Sequence, residues 1–172
     1  VFFVNSRSRT KDIYDGTANT IIASESTLGS GEEVMTLSDR SKVDHRTDYA
    51  TPLLFGPTAI LTESRCNSPQ GWNITNRRGF FWASGEYRCA LYNHYLKPND
   101  KTIDCIGSRA SAASAIETRF SAYGWRGARS RHPGGVNALF ADGSVHFIDE
   151  NIDLVVWRAS STREGKETER IN

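Results

Sequence analysis

The sequence predicts an α+β fold dominated by an antiparallel β-sheet with long loops, and three observations support this class. Short β-branched or aromatic runs bounded by turn residues indicate strands, as at Thr20–Ser24. An Asp-Gly pair between two apolar runs, at Asp142 and Gly143, is typical of a β-hairpin. A polar stretch of little periodicity, from "GSGEE" to about Thr51, indicates a long surface loop.

The N-terminal half is predicted to consist of strands joined by turns and loops. Residues 1–4 and 20–24 are expected to be strands, with "YDGTANT" as the turn between them. One helical turn is expected near Leu37, within the long loop. "LLFGPTAI" is compatible with a strand or a short helix, although Gly56 and Pro57 favour a break.

The C-terminal half is predicted to contain two hairpins and a short terminal element. The aromatic-rich runs Gly79–Ser84 and Cys89–Leu96 predict the first hairpin, because turn residues separate them. "SAASAIETRFSAYGW" has helix-compatible spacing, and "DLVVWRAS" predicts a helix or a strand. The polar tail from Ser161 is expected to fray. We therefore predict one head domain over residues 1–160 and a tail over residues 161–172.

The Asp-Gly hairpin can be predicted in detail. A type I′ turn needs φ > 0 at both central residues, which suits Asp142 and Gly143. That turn places Phe140 opposite Val145 and fixes which side chains face the core. The predicted core face consists of Val136, Ala138, Phe140, Val145 and Phe147.

His132 precedes this hairpin, and a catalytic pair with Asp142 is the chemical alternative to a structural role. The strand from Val136 to Asp142 spans about 20 Å, and folding back over the Pro-Gly-Gly break at 133–135 recovers at most about 10 Å. The two side chains are therefore expected not to touch. We predict that His132 is structural, and that its ring nitrogens bond loop backbone and pin the loop against the sheet or a neighbouring subunit.

Composition and charge exclude several classes of protein. The 172 residues are 38% hydrophobic and 24% charged, which is ordinary for a globular domain. A net charge of +1 gives no reason to expect a nucleic-acid partner. No apolar run approaches the roughly 18 residues of a membrane span. Because the chain begins at Val1 without Met, we expect that an N-terminal segment has been removed.

The three cysteines predict one disulfide in an exported protein. Their spacing is too wide for a Cys-x-x-Cys metal or redox motif. Cys66 and Cys105 lie in loop-like contexts and are predicted to be bridged, whereas Cys89 begins an apolar run and is predicted to be a buried thiol. Three reduced cysteines in a cytosolic protein remain the alternative.

The motifs of known enzyme classes are missing from the sequence, which contains no nucleophile elbow, zinc-protease helix, P-loop or dinucleotide-binding turn. We therefore expect no enzymatic activity and no cofactor. Five loop carboxylates are compatible with calcium but fit no EF-hand pattern: Asp15, Asp44, Asp48, Asp100 and Asp104. An aromatic set is predicted to be mainly core, with a sugar or peptide groove as the alternative: Trp72, Phe80, Phe81, Trp82, Tyr87, Tyr92 and Tyr95.

Several sequence blocks, taken together and in order, resemble a known family. They are "DIYDGTANTIIASE", "RGFFWASGEY", "YNHYLKPND", "SRHPGGVNALFADGSVHFID" and "VVWRASSTREGKE". They are similar to the C-terminal region of a bacterial, chiefly planctomycete, prepilin-type family with a signature of His, nine residues, then Asp-Gly. Ala18 and Lys97 replace the Ser and Pro that are usual in that family.

The resemblance implies a pseudopilin-like head of the type IV pilus or type II secretion kind. An N-terminal apolar helix, absent here, would anchor the protein in the inner membrane and pack into a filament, leaving this chain exposed outside the cytoplasm. The expected function is therefore structural, through self-assembly or contact with other pilin-like subunits. An extracytoplasmic binding module for a glycan, a peptide or calcium is the alternative. The residues that carry the signature or are expected to support it are Asp15, Gly16, Asn19, Glu25, His132, Pro133, Gly134, Gly135, Asp142 and Gly143.

Overall fold

The computed structural model of the chain describes residues 6–30, 43–55, 60–69, 77–85, 87–110, 123–166 and 171. The strand predicted at residues 1–4, the helical turn near Leu37 and most of the helix-compatible segment lie outside the described residues. The chain divides into two compact units. The hairpin unit combines Val1–Ser26, Tyr92–Asp100 and Gly127–Asn172, and the disulfide unit combines Thr27–Leu91 and Lys101–Arg126.

Short strands outnumber helices among the described residues, which confirms the predicted α+β class. The strands are β1 Ile21–Ser24, β2 Tyr49–Ala50, β3 Leu53–Phe55, β4 Asp104–Ala110, β5 Tyr123–Trp125, β6 Gly135–Phe140 and β7 Val145–Asp149. The helices are a 3-10 turn at Thr10–Asp12, α1 Glu63–Asn67 and α2 Leu154–Ala159.

The hairpin unit is built on an antiparallel sheet in the order β1-β6-β7. β1 confirms the strand predicted at residues 20–24. α2 follows the sheet, and the Asp153 carboxylate caps it by accepting the N–H of Val155 at 2.7 Å. Apolar side chains from the sheet, the segment before β6 and α2 form the core: Ile21, Ala128, Val136, Ala138, Phe140, Ile148 and Trp157.

β6 and β7 form the predicted hairpin, but its predicted register is wrong by one residue. Leu139 lies opposite Val145, so residues 141–143 form a three-residue loop. Gly143 has φ of +91°, whereas Asp142 does not have a positive φ, which excludes the type I′ turn. The shift exchanges the faces of β7, so that Ile148 is buried while Val145 and Phe147 are 61% and 52% exposed. The predicted core face of β6 is unaffected.

Gly143→Val is expected to lower the free energy of unfolding by about 2 kcal/mol, since a β-branched residue is strained at positive φ. Asp142→Asn is the matched control and should lose less, because an amide oxygen can still accept the hydrogen bonds of the loop. Thermal melts of both variants measure the difference. Equal losses would contradict this explanation and assign a specific role to the Asp142 carboxylate.

The disulfide unit is organised around β4, which pairs in parallel with β2 and β3 and antiparallel with β5. A disulfide joins Cys66 of α1 to Cys105 of β4, with their Cα atoms 5.8 Å apart. Cys89 is buried and lies outside the disulfide, so the arrangement matches the expected pairing. Next to Cys105, Asp104 forms a buried ion pair with Arg78.

The hairpin predicted over residues 79–96 is wrong, because the described residues of this segment form turns. A buried guanidinium from elsewhere in the chain binds its backbone. Nη1 of Arg126 donates to the carbonyl oxygens of Tyr87, Cys89 and Leu91 at 2.8, 2.7 and 3.2 Å. Burial lowers the pKa of Arg126 to about 10, so the side chain stays charged at neutral pH.

The sequence predicted that the aromatic residues of this segment are mainly core, and this prediction is wrong for Phe81, Trp82 and Tyr95, which are exposed. Phe81 is 52% exposed and Trp82 is 86% exposed. Phe80 is partly buried and lies under the guanidinium of Arg88, with Cζ 5.7 Å from the ring centroid. Trp72 lies outside the described residues.

Candidate functional site

The signature residues lie in the hairpin unit, where they form separate sets of contacts. The first set is centred on Glu25. Glu25 follows β1, and its carboxylate bonds Asn137 of β6 twice. Oε2 accepts the backbone N–H of Asn137 at 2.8 Å, and Oε1 accepts its side-chain amide at 3.1 Å. Nε2 of His132 lies 3.0 Å from the same Oε1. Glu25 therefore ties β6 to the loop before it. We call Glu25, His132 and Asn137 the Glu25 junction.

The electrostatics of the Glu25 junction suit a partly exposed structural contact. Partial burial raises the pKa of Glu25, but hydrogen bonds from Asn137 and the neighbouring His132 outweigh that effect and hold the pKa below its usual value. The His132 and Glu25 side chains are 55% and 31% exposed. A side-chain contact so open to water contributes little to stability. Nε2 of His132 thus contacts a carboxylate, whereas bonds from both ring nitrogens to loop backbone were predicted.

The loop that carries His132 is closed by two residues that the sequence analysis did not identify. Asn99 is buried, and its side chain donates to the Gly135 carbonyl at 3.0 Å and accepts the Ser130 N–H at 2.8 Å. The Ser130 hydroxyl donates to the same carbonyl at 2.6 Å and accepts the His132 N–H at 3.1 Å. The Pro-Asn-Asp sequence of Asn99 signals a turn, but it does not indicate these distant partners.

Gly134 and Gly135 of the signature are needed for different reasons. Gly134 has φ of +84°, and a Cβ there would enter open space. At Gly135, a Cβ would lie 2.1 Å from the carbonyl oxygen of Ile148. One glycine therefore provides a backbone conformation, and the other allows β6 and β7 to approach.

Asp15 binds the C-terminal tail. Its carboxylate accepts the Thr162 hydroxyl at 2.9 Å and the N–H groups of Gly165 and Lys166 at 2.9 and 3.0 Å. The desolvation of this carboxyl raises its pKa, but the three hydrogen bonds have the larger effect and lower it. The expected fraying of the tail is therefore wrong for residues 162–166. We call this set of contacts the Asp15 cradle.

The turn around Asp15 is shaped by the next two signature residues. Gly16 has φ of +95°, a conformation that favours glycine. The Asn19 side chain donates to the Asp15 carbonyl at 2.9 Å, and the Asn19 N–H donates to the Gly16 carbonyl at 3.1 Å. The turn thus presents the Asp15 carboxylate to the tail.

Asp15→Ala is expected to loosen residues 165 and 166 while leaving the sheet folded, since the carboxylate bonds these two amides and none of the strands. The Arg163 carbonyl keeps its backbone bonds from residues 14 and 15. Hydrogen–deuterium exchange should become faster at the Gly165 and Lys166 amides and stay unchanged in β6. Asp142→Ala is the matched control, because that carboxylate bonds Ser144 of the hairpin loop and not the tail. Unchanged protection at residues 165 and 166 would contradict the assignment.

Asp142, the other end of the signature, has partners of its own. Its Oδ1 accepts the hydroxyl and the N–H of Ser144 at 2.7 and 2.9 Å. These two bonds lower the pKa of Asp142. His132 bonds Glu25, so the two signature residues make separate contacts among the described residues.

A buried histidine cluster, which spacing in the sequence did not reveal, fixes α2. The His94 ring stacks on Trp157 with centroids 3.6 Å apart. Its Nδ1 lies 2.6 Å from the Trp157 carbonyl oxygen and its Nε2 lies 3.2 Å from the Tyr92 hydroxyl. The carbonyl can only accept, so Nδ1 carries the proton and Nε2 accepts from Tyr92. Burial lowers the pKa of His94 to about 4, which keeps the ring neutral.

The described residues offer no cluster of three or more His, Cys, Asp or Glu side chains that could hold a metal ion. The candidate calcium carboxylates have other contacts. Asp15 forms the cradle, Asp104 pairs with Arg78, and Asp48 accepts the Asp44 N–H at 2.9 Å. Within the same part of the chain, no helix is long and apolar enough to cross a membrane.

Comparisons with known proteins give one match. The model of a family described as "Protein of unknown function (DUF1559)" matches residues 1–155. This is a family of bacterial proteins that includes pseudopilin-like, prepilin-type members. No curated protein and no solved structure matches the chain.

Proposed function

The chain belongs to the DUF1559 family of bacterial proteins, and we propose that it is the exposed head of a pilin-like subunit that functions by assembly rather than by catalysis. In this proposal the head lies outside the cytoplasm and carries no cofactor. A membrane-anchored N-terminal helix of the full-length protein holds it at the inner membrane. Its partners are further copies or other pilin-like subunits.

The use of the signature side chains is the observation that carries this proposal. Asp15, Glu25 and Asp142 each accept two or more hydrogen bonds from nearby backbone or side-chain groups of the hairpin unit. His132 bonds Glu25. These groups bond two loops and the tail of the hairpin unit, which is the use expected of side chains that maintain a fold. A family signature that fixes a fold suits a protein that is selected for its shape and contacts.

The disulfide supports the proposed location. Bridges such as Cys66–Cys105 persist in oxidising compartments, including the bacterial periplasm and the cell surface. The cytosol keeps most thiols reduced, so a head that needs this bridge is suited to export.

The test is to express the full-length protein, with its native N-terminal sequence, in cells with and without a prepilin peptidase. We expect peptidase-dependent cleavage, fractionation with the inner membrane, and multimers after chemical cross-linking. The cells that lack the peptidase are the matched control and should contain only the uncleaved form. A full-length protein that is not cleaved and remains soluble in the cytoplasm would overturn the proposal.

A glycan- or peptide-binding head is the second candidate, and the exposed Phe81 and Trp82 favour it. Exposed aromatic faces are suited to stacking on sugar rings or packing on apolar side chains. Titration with oligosaccharide and peptide libraries, measured by calorimetry, would show saturable binding that Trp82→Ala abolishes. Tyr14→Ala is the control, because Tyr14 is also exposed but lies in the hairpin unit. Binding that survives Trp82→Ala, or the lack of any saturable ligand, would remove this candidate.

A further inference from the structure

We propose that the open edge of β7 pairs antiparallel with β7 of a second copy, with the two Phe147 residues opposite each other. The inference rests on the proposed assembly function, since it assigns one contact between subunits. The evidence is the backbone geometry, the exposed side chains and the charge of this strand.

The backbone of β7 has unused hydrogen-bonding groups on one side. Phe140 N–H donates to the Ser144 carbonyl and Glu150 N–H donates to the Gly134 carbonyl, so the even-numbered positions from 144 to 150 face β6. Successive residues of a strand point their backbone groups in opposite directions. The N–H groups of Val145, Phe147 and Asp149 therefore point away from β6, and the sheet order ends at β7 among the described strands.

Among the described residues, this edge has few of the features that protect edge strands in natural proteins. Lysine, proline or a bulge commonly blocks such an edge, whereas β7 reads Val-His-Phe-Ile-Asp and pairs with β6 in unbroken register. β1, at the opposite edge of the sheet, has a register shift, and Ile21 N–H donates to the Ser160 carbonyl at 2.7 Å. The two edges of the sheet are thus different, and β7 is the one open to pairing.

A second copy matches this edge because the outward groups are symmetric about Phe147. With Phe147 opposite Phe147, the two strands exchange two hydrogen bonds at the centre, and each Asp149 N–H reaches the Val145 carbonyl of the other copy. These four bonds leave the Asp149 carbonyl to its partner, the Ile152 N–H. The exposed Val145 and Phe147 side chains of both copies then form one apolar stripe.

Charge selects the antiparallel arrangement. In a parallel, in-register pair the two Asp149 carboxylates would be neighbours about 5 Å apart. In the antiparallel pair Asp149 faces Val145 of the other copy, and the two carboxylates are about 13 Å apart, beyond the screening length of physiological salt.

Because the contact is small, the strand pair is expected to be stable only between subunits that are anchored side by side in the membrane. A five-residue strand pair buries far less than the roughly 1,200 Å² of a stable complex. The pair is therefore weak between free chains and strong where neighbouring subunits are already held at high effective concentration.

The test is disulfide cross-linking of the purified chain at millimolar concentration. Val145→Cys and Asp149→Cys variants are oxidised separately and as a mixture. We expect at least about tenfold more dimer in the mixture, because facing Cα atoms lie about 5.5 Å apart and self-pairs about 13 Å apart. Leu28→Cys, at an exposed apolar position in the disulfide unit, is the control for random collision.

Equal yields in all samples, or no dimer in the mixture, would overturn the inference. A second measurement avoids the cysteine variants, because Asp149→Cys could disturb folding. In the unmodified chain, exchange of the Phe147 amide should slow as concentration rises, and Phe147→Lys should abolish the concentration dependence at the Asp149 amide. Cross-linking does not require the membrane anchor. If the peptidase does not cleave the protein but cross-linking succeeds, only the proposed assembly function is contradicted. If cleavage occurs but cross-linking fails, only this contact is contradicted.

Discussion

Gly135→Ala is expected to lower the free energy of unfolding by about 3 kcal/mol, the largest effect of any small substitution in the signature. The added Cβ would lie 2.1 Å from the Ile148 carbonyl oxygen, so β6 and β7 must separate where they enclose the core. The Gly135 carbonyl would also move relative to Asn99 and Ser130, which both donate to it. Urea denaturation measures the loss.

Gly134→Ala is the matched control, since it adds the same methyl group at the adjacent position. Its Cβ meets open space, so only the backbone strain of a positive φ remains, and the expected loss is about 1 kcal/mol. If the two variants lose the same stability, the close approach of β6 and β7 at Gly135 is not what requires glycine.

Acid is expected to destabilise the hairpin unit through His94, by about 2 kcal/mol between pH 7 and pH 5. The ring has a pKa of about 4 in the folded chain and an ordinary value near 6.5 when unfolded. Between these values the unfolded chain binds a proton that the folded chain does not, so stability falls as the pH is lowered. The carboxylates with lowered pKa values, such as Glu25, act mainly below this window.

The measurement is denaturant unfolding of the native chain and two variants across this pH range. His94→Asn keeps a donor for the Trp157 carbonyl but removes the titrating ring, so its stability should depend less on pH. His146→Asn is the control, because His146 is exposed and lies outside the cluster. A pH dependence that survives His94→Asn would assign the effect to other groups.

The sequence predicts the hairpin but not its register, and the reason is local. An Asp-Gly pair suits both a two-residue turn with two positive φ angles and a three-residue loop with one, at its last position. The two loops place opposite faces of β7 toward the core. The packing of Ile148 against the core decides between the two loops. β7 has apolar residues at both odd and even positions, so its sequence pattern alone does not show which face is buried.

The segment over residues 79–96 shows a different limit. Its aromatic residues have the composition of strands, but its backbone bonds the Arg126 guanidinium, 35 to 39 residues further along the chain. The β-strand propensity of a segment carries no information about a hydrogen-bonding partner so distant in sequence. For the same reason Asn99 and the His94 cluster were missed, whereas the Cys66–Cys105 pairing followed from contexts visible on either side of each cysteine.

The hairpin unit is assembled from the two ends of the chain, and this determines the order in which the protein can fold during synthesis. Every segment of the disulfide unit has been made by residue 126. β1, by contrast, is made early but lacks its partner strand, because Ser24 and its hydrogen-bonding partner Asn137 are 113 residues apart. Such non-local contacts form slowly and leave apolar strands exposed in the meantime. The Asp15 cradle requires residues 162–166, so a ribosome or export machine must deliver the chain up to residue 166 before these contacts can form.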